Sequence, residues 1–560
     1  MSASSKKKLR KEQESAQLTE KQLAEQKEAK KLKGYTIGFV ALIAVVLCAA
    51  IVVMVSQGIA NSGIIERNTT AVQINDHKLT TADLSYYYVD TINNMYSEWN
   101  EYYGEYAPMY VTMMYGLDMT KSLNEQYYDT EGKVTWAEYC ANVAVSSAKS
   151  DYALYDLAKE AGHELSEDEK VSLESELYSA ELYATLYYGY PDLESYLKAV
   201  YGAGSTEESF EEYMNISALA ASYYKSHQDS LEYDDAAIRA YDAEHSAEFN
   251  SYSYASYLML AKDFLTGGTT DSDGKTTYSD EENAAALKAA QDTANTIAAG
   301  SYASYTEMKD AICALDAYKE ETSLTLTEQK DVLYSDVNSK LVEWVSDSSR
   351  KTGDVGVVPY VTSTNNEDGS VSTATQGYYV IMFQSSDNNA VQLKNVRHIL
   401  SQFEGGTTDQ TTGETVYTES EKLAAKTAIE DVQSKWQANG GTEEAFKALV
   451  AENTDDSGSA STEGLYEDIF PGQMVPAFND WCFDETRKEG DSAIVETEYG
   501  YHLMYFVGNS DITYRDYLIE STLRGEELQA WYDEILENTE ASKIDISHLN
   551  LDITMQASNS

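Results

Sequence analysis

Proline is scarce in this sequence, five residues in 560, so its folded part has to be built from helices and sheets joined by Gly- and Ser-rich turns. Cysteine is scarcer: Cys48 lies in an apolar run, and Cys140, Cys313 and Cys482 are far apart with no metal-ligand spacing. No disulfide framework and no metal site follow from them. Basic residues are few as well, 40 Lys+Arg against 94 Asp+Glu, a net charge of −54. Nucleic-acid affinity comes largely from basic side chains displacing counterions, so a DNA or RNA partner is excluded. Phenylalanine, at 11, is far outnumbered by 46 tyrosines.

A hydrophobic content of 42% suffices for packed cores, and the length suggests three or four domains. The charge is unevenly spread. Residues 1–34 carry ten basic side chains and five Glu, a local +5, so the remainder sums to −59. Tyr35 to Val55 is then apolar and free of charge, long enough at about 1.5 Å per residue to cross a hydrocarbon core of about 30 Å. A cleaved signal peptide usually has a shorter apolar region, and Cys48 follows Leu47 rather than the small residue lipidation needs. The reading is an uncleaved transmembrane helix over 35–57, with 1–34 as a cytoplasmic tail and the bulk of the chain outside a plasma membrane.

The exported part repeats itself. Phe264 to Tyr278 matches Phe403 to Tyr417 through a shared Gly-Gly-Thr-Thr-Asp, and Trp344-Val-Ser-Asp-Ser-Ser-Arg-Lys-Thr-Gly-Asp354 aligns without a gap on Trp481-Cys-Phe-Asp-Glu-Thr-Arg-Lys-Glu-Gly-Asp491. Each copy closes on a Gly-Tyr strand, at Gly377 and at Gly500. Three collinear matches make residues of about 250–390 and 395–508 two copies of one domain. In the second copy Asn395–Leu400 reads as a strand. Ala425, Ile429, Val432 and Trp436 give one buried helical stripe, 443–451 and 474–483 two further helices, and 492–497 and 501–507 closing strands. Upstream, residues 70–245 read as mostly helical, with a strand and turn at Val72–Leu79 and helix starts at Thr80–Asp83 and Ser166–Glu169. A last helix spans 514–538.

Five strings of the second copy fall in order: Val396-Arg-His-Ile-Leu400, Glu452-Asn-Thr-Asp455, Gly472-Gln-Met-Val-Pro-Ala-Phe478, Gly490-Asp-Ser, and Thr497-Glu-Tyr-Gly-Tyr-His502. Together they resemble the parvulin family of peptidyl-prolyl isomerases. A membrane-held chain with a helical region before such a unit and a helix after it looks like the PrsA/SurA type of extracytoplasmic foldase. The implied α+β architecture is a transmembrane helix, a helical chaperone-like domain (58–247), a degenerate parvulin-like domain (248–392), a parvulin domain (393–508) and a C-terminal helix and tail (509–560).

Carried over residue by residue, the resemblance implies a proline-binding floor from Met474 and Phe478, with Tyr499 beside it. It also implies a catalytic polar cluster of His398, Asp455, Thr497 and His502. Where the family usually has Gly-Gly-Asp-Leu-Gly, Thr462-Glu-Gly464-Leu-Tyr-Glu-Asp keeps one Gly. Gly405 to Thr418 has no Lys or Arg, so selectivity for phosphopeptides is not expected. The first copy lacks the site: Tyr379 stands opposite His502, Val337 and Leu341 opposite Met474 and Phe478, and Ser256–Leu260 contains no His.

These residue types suit the chemistry. Turning a peptide bond costs about 18–20 kcal/mol in lost resonance, and X-Pro exchange unaided takes tens to hundreds of seconds. A catalyst need make no covalent bond, only bind the twisted amide better than either planar form. An apolar pocket fixes the ring and desolvates the amide, while hydrogen-bonding groups meet the nitrogen as it pyramidalises. No cofactor is needed. A His/Cys/Asp nucleophilic site lacks any signature, and the Asp271–Glu282 loop has its Gly at position four where a calcium loop needs it at six. The expected partners are unfolded exported polypeptides with X-Pro bonds; a homodimer is left open. The competing reading is a holdase that grips clients without catalysis. Tyrosines and methionines crowded over 86–115 would offer such a chaperone an adaptable apolar surface.

Overall fold

The computed structural model describes residues 62–555 apart from 130, 319–323, 366–369 and 410–414. The basic tail and the apolar run at 35–57 lie outside the described residues. Among those described, no helix is long and apolar enough to cross a membrane. Helix and sheet are mixed, in two compact units: one runs to Leu231 and resumes at Glu527, the other is Glu232–Glu526.

The first unit opens on the antiparallel strands Thr70–Ile74 and His77–Thr80, with Ala541–Ser542 added along the free side of the first. Helix Thr81–Tyr103 begins where the sequence places it. Thr80 accepts from the Asp83 N–H and Asp83 accepts from the Thr80 N–H, which satisfies two orphan donors of the first turn. Helices Trp136–Ala161 and Glu207–Ser230 pack with it around Leu84, Tyr88, Ile92, Val111 and Trp136. The tyrosines divide. Tyr86, Tyr87 and Tyr88 are buried, the Tyr86 hydroxyl 2.8 Å from Ser209, whereas Tyr102, Tyr106, Met109, Met113 and Met114 are all more than half exposed.

The second unit holds two four-stranded antiparallel sheets of matching order. In hydrogen-bonded order across the sheet, one runs Thr327–Leu333, Ser251–Leu260, Val371–Asp387, Val355–Asn365; the other runs Leu465–Ile469, Gln392–Gln402, Gly500–Thr513, Ser492–Glu496. The sequence repeats carry matching bonds. In each Gly-Gly-Thr-Thr loop the helix-capping glutamate also accepts from a loop glycine N–H, Glu282 from Gly268 at 2.9 Å and Glu421 from Gly406 at 3.1 Å. In each Trp motif the guanidinium lies on the indole, Arg350 on Trp344 at 4.2 Å and Arg487 on Trp481 at 4.1 Å. Asp271, read above as a poor calcium loop, accepts from the Asp273 and Lys275 main chain in a tight hairpin. The strand Leu465–Ile469 was not legible as a sheet element: it is short, holds Glu467 and Asp468, and slips register between Tyr466 and Ile469. Buried Arg515, at the start of helix Tyr514–Asn538, donates to Asp242, Asn250, the Asn388 carbonyl and the Ser246 carbonyl.

Candidate active site

Strand alternation decides which side chains of the second sheet meet. Ile399 and Leu503 face helices Glu419–Ala438 and Glu443–Asn453, in a core with Ile429, Trp436 and Phe446. The opposite face carries Val396, Met504 and Phe506 against Phe478, Trp481 and Cys482 of helix Pro476–Cys482. His398 and Leu400 are two apart and share this second face, and Leu400 is the direct partner of His502. The two histidines are thus diagonal neighbours on adjacent strands, within reach of each other's rings.

Their Nδ1 atoms are 3.0 Å apart, with ring centroids at 5.2 Å and planes 25° apart. His502 Nε2 lies 2.8 Å from Thr497 Oγ1, and His398 Nε2 lies 2.8 Å from Asp456 Oδ2. Phe478 stands edge-on to both imidazoles, with centroids 5.4 and 5.5 Å away. His398, His502, Thr497 and Phe478 are all buried. Burial pushes His502 down from 6.5 to about 4, and neighbouring His398 adds to that effect while Asp456 opposes it. The His398 hydrogen bond holds the Asp456 carboxyl well below the usual range, with contributions from Ser459 and Tyr466 against the cost of burial.

One proton order satisfies every contact with neutral rings. A carboxylate only accepts, so His398 Nε2–H donates to Asp456 and His398 Nδ1 is an acceptor. His502 Nδ1–H donates to it, which leaves His502 Nε2 to accept the Thr497 hydroxyl. A proton added at His398 Nδ1 reverses the whole row: His502 then donates from Nε2 and the Thr497 O–H is released.

Six of the seven residues expected in the site stand within or beside it. Met474 is half-buried and packs against the cluster of Phe478 and Trp481. Tyr499 is 52% exposed; its N–H donates to Thr497 Oγ1 at 3.2 Å and its carbonyl accepts from Phe403, so its main chain flanks the site while its ring lies at the surface. Asp455 requires a correction, since the carboxylate on His398 is that of Asp456. The Asp455 main-chain N–H donates to the Leu400 carbonyl and its side chain accepts from the Gln402 N–H at 2.9 Å, so the residue is committed to the end of strand Gln392–Gln402. Asp456, one position on, turns inward as the N-cap of the short helix Ser457–Ala460, accepting from Gly458. The Asp-Ser-Gly-Ser capping pattern is the sequence signal that would have separated the two. Ser459 and Tyr466, both bonded to Asp456, were not anticipated either.

The glycine retained in the rim has a steric reason. Gly464 sits at φ 77°, its carbonyl accepts from His398 N–H at 2.9 Å, and a Cβ there would lie 2.5 Å from the His398 carbonyl oxygen. In the first sheet the same register puts Ser256 opposite Ile381 and Tyr379 opposite Leu258, where the second has His398 opposite Met504 and His502 opposite Leu400.

Residues 398–508 match the rotamase family's PPIC-type PPIASE domain. This segment is thus similar to a parvulin-type peptidyl-prolyl isomerase domain. A curated relative, the chaperone SurA of Hahella chejuensis, is 32% identical over 123 residues, 20% of this chain and 27% of that protein. The chain thus matches about a quarter of that relative's length. Among solved structures it is similar to PrsA from Bacillus subtilis (24% identity, 26% of this chain and 47% of that one, TM-score 0.17). PrsA from Bacillus anthracis is also similar (17% identity, 27% and 59%, TM-score 0.17).

Proposed function

We propose that this chain is a membrane-anchored extracytoplasmic foldase that isomerises X-Pro bonds in exported proteins and also holds unfolded chains. The observation that carries the enzymatic part is the row of half-buried Asp456 and buried His398, His502 and Thr497 beside the apolar Phe478 and Met474. The proline ring settles on Phe478 and Met474, where the amide loses water and with it the solvation that favours its charge-separated planar form. His398, Thr497 and His502 act by hydrogen bonding and orientation. Asp456 takes the place in this row that the resemblance gave to Asp455. The sheet at 251–387 is a degenerate parvulin-like unit on this reading, since Ser256 and Tyr379 leave it without an imidazole.

The +5 flank and the charge-free run support the anchor, and the exposed Tyr102, Tyr106, Met109, Met113 and Met114 support the holding function. The test is refolding of a client whose slow phase is proline isomerisation. The exported region should both speed that phase and suppress aggregation, and His398→Ala with His502→Ala should abolish the first effect while keeping the second. A double variant that stays folded and loses both activities contradicts the division of labour; one that retains the acceleration removes the histidines from catalysis.

A further inference from the structure

We propose that Tyr466 is a positioning residue of the isomerase site: its phenol and its ring together fix Asp456 and His398 in the orientation that sets the direction of the hydrogen-bonded row. The inference rests on the isomerase reading and deepens it. Tyr466 lies on the edge strand Leu465–Ile469, where its main chain is opposite Val396. Alternation therefore turns its side chain to the face that carries His398. There its hydroxyl donates to Asp456 Oδ2 at 3.0 Å, and its ring lies against the imidazole of His398, with centroids 5.2 Å apart and planes 27° from parallel.

Asp456 Oδ2 thus receives three donors, from His398, Ser459 and Tyr466. Each added donor makes a carboxylate less basic. The phenol keeps Asp456 a pure acceptor, which fixes the His398 proton on Nε2 and leaves Nδ1 to accept from His502. The ring limits the remaining freedom of the imidazole, which is also held by Asp456, by Ser459 Oγ at 3.2 Å from its Nε2, by His502 and by the edge of Phe478. The titratable groups facing His398 are Asp456 from the cap of Ser457–Ala460, His502 from the neighbouring strand, and Tyr466 itself. Its strand neighbour Arg397 is committed elsewhere, to Glu443 and to the Thr462 and Glu463 carbonyls.

Removing the hydroxyl alone leaves Asp456 Oδ2 with two donors instead of three and makes it a stronger acceptor, so its bond from His398 Nε2–H tightens. The experiment compares Tyr466→Phe, which keeps the ring, with Tyr466→Leu, which loses both contacts, in the full chain. Imidazole NMR at neutral pH should find His398 as the Nε2–H tautomer in the wild type, with its Nε2–H proton signal moved downfield in Tyr466→Phe as the bond to Asp456 shortens. Tyr466→Leu should add a fall of about tenfold in kcat with a smaller change in KM, partly restored by Phe. An unmoved Nε2–H signal in Tyr466→Phe overturns the proposal, as does a wild-type His398 protonated on Nδ1 alone. Inactive wild-type protein would sink the isomerase reading separately, because the NMR measurement needs no turnover.

Discussion

The Nδ1 atoms of His398 and His502 lie 3.0 Å apart, so two imidazoles face each other through the same ring position. One must donate and the other accept. That requirement, with Asp456 at one end and Thr497 at the other, orders the protons of the whole site and gives the predictions below their signs.

Asp456 and Asp455 should separate sharply. Asp456→Asn removes the charge that orients His398 and should lower kcat/KM at least about tenfold, the equivalent of about 1.4 kcal/mol. Asp455→Asn keeps an acceptor for the Gln402 N–H and should stay within about threefold. An exchange assay on both variants decides it, and equal losses would return Asp455 to the site.

His502 makes the domain acid-sensitive. Burial lowers its folded value to about 4 against an ordinary 6.5, so between these values the unfolded chain binds a proton that the folded one refuses. Its contribution is therefore complete above pH 6.5, falls as pH drops toward 4 and levels off below, by up to about 3 kcal/mol. Urea unfolding at pH 7 and at pH 5 should show this loss, and His502→Gln should flatten the slope. An unchanged slope would mean that His502 is protonated in the fold.

How much of this was legible in advance depended on how local the cause was. Alanine and isoleucine at helical spacing disclosed helix 419–438, and the Thr80/Asp83 pair disclosed a helix start, because both are written in neighbouring residues. His398 and His502 could be paired only through a family pattern, since 104 residues separate them and strand register brings them together. The choice between Asp455 and Asp456 depended on which main chain bonds Leu400, and that is set by tertiary structure. Tyr466 stayed hidden for the same reason: a tyrosine after a glycine and a leucine says nothing of the histidine its ring will cover.

Gly464 should resist substitution. Gly464→Ala forces an alanine into a left-handed conformation with its methyl group 2.5 Å from the His398 carbonyl oxygen. The domain should lose about 2 kcal/mol or more, measured as a lower unfolding midpoint, and activity should fall as His398 is displaced. A neutral effect would show that the rim moves aside freely.

Phe478 should affect substrate capture more than turnover. Phe478→Leu keeps an apolar side chain in the core with Trp481 and Cys482 but loses the edge-on contact with both imidazoles. KM for an X-Pro peptide should rise several-fold with a smaller change in kcat, whereas Phe478→Ala should also cost about 3–5 kcal/mol of stability. A pure kcat effect in Phe478→Leu would move this ring from binding to chemistry.

The central claim is that X-Pro isomerisation belongs to the second sheet of the repeat. Magnetisation exchange between the cis and trans signals of a short X-Pro peptide, measured with residues 58–560, tests it directly. The wild type and a variant with Ser256→Ala and Tyr379→Phe should accelerate exchange equally, and His398→Ala with His502→Ala should return it to the uncatalysed rate. Acceleration lost in the Ser256/Tyr379 variant, or kept in the double histidine variant, would contradict the assignment.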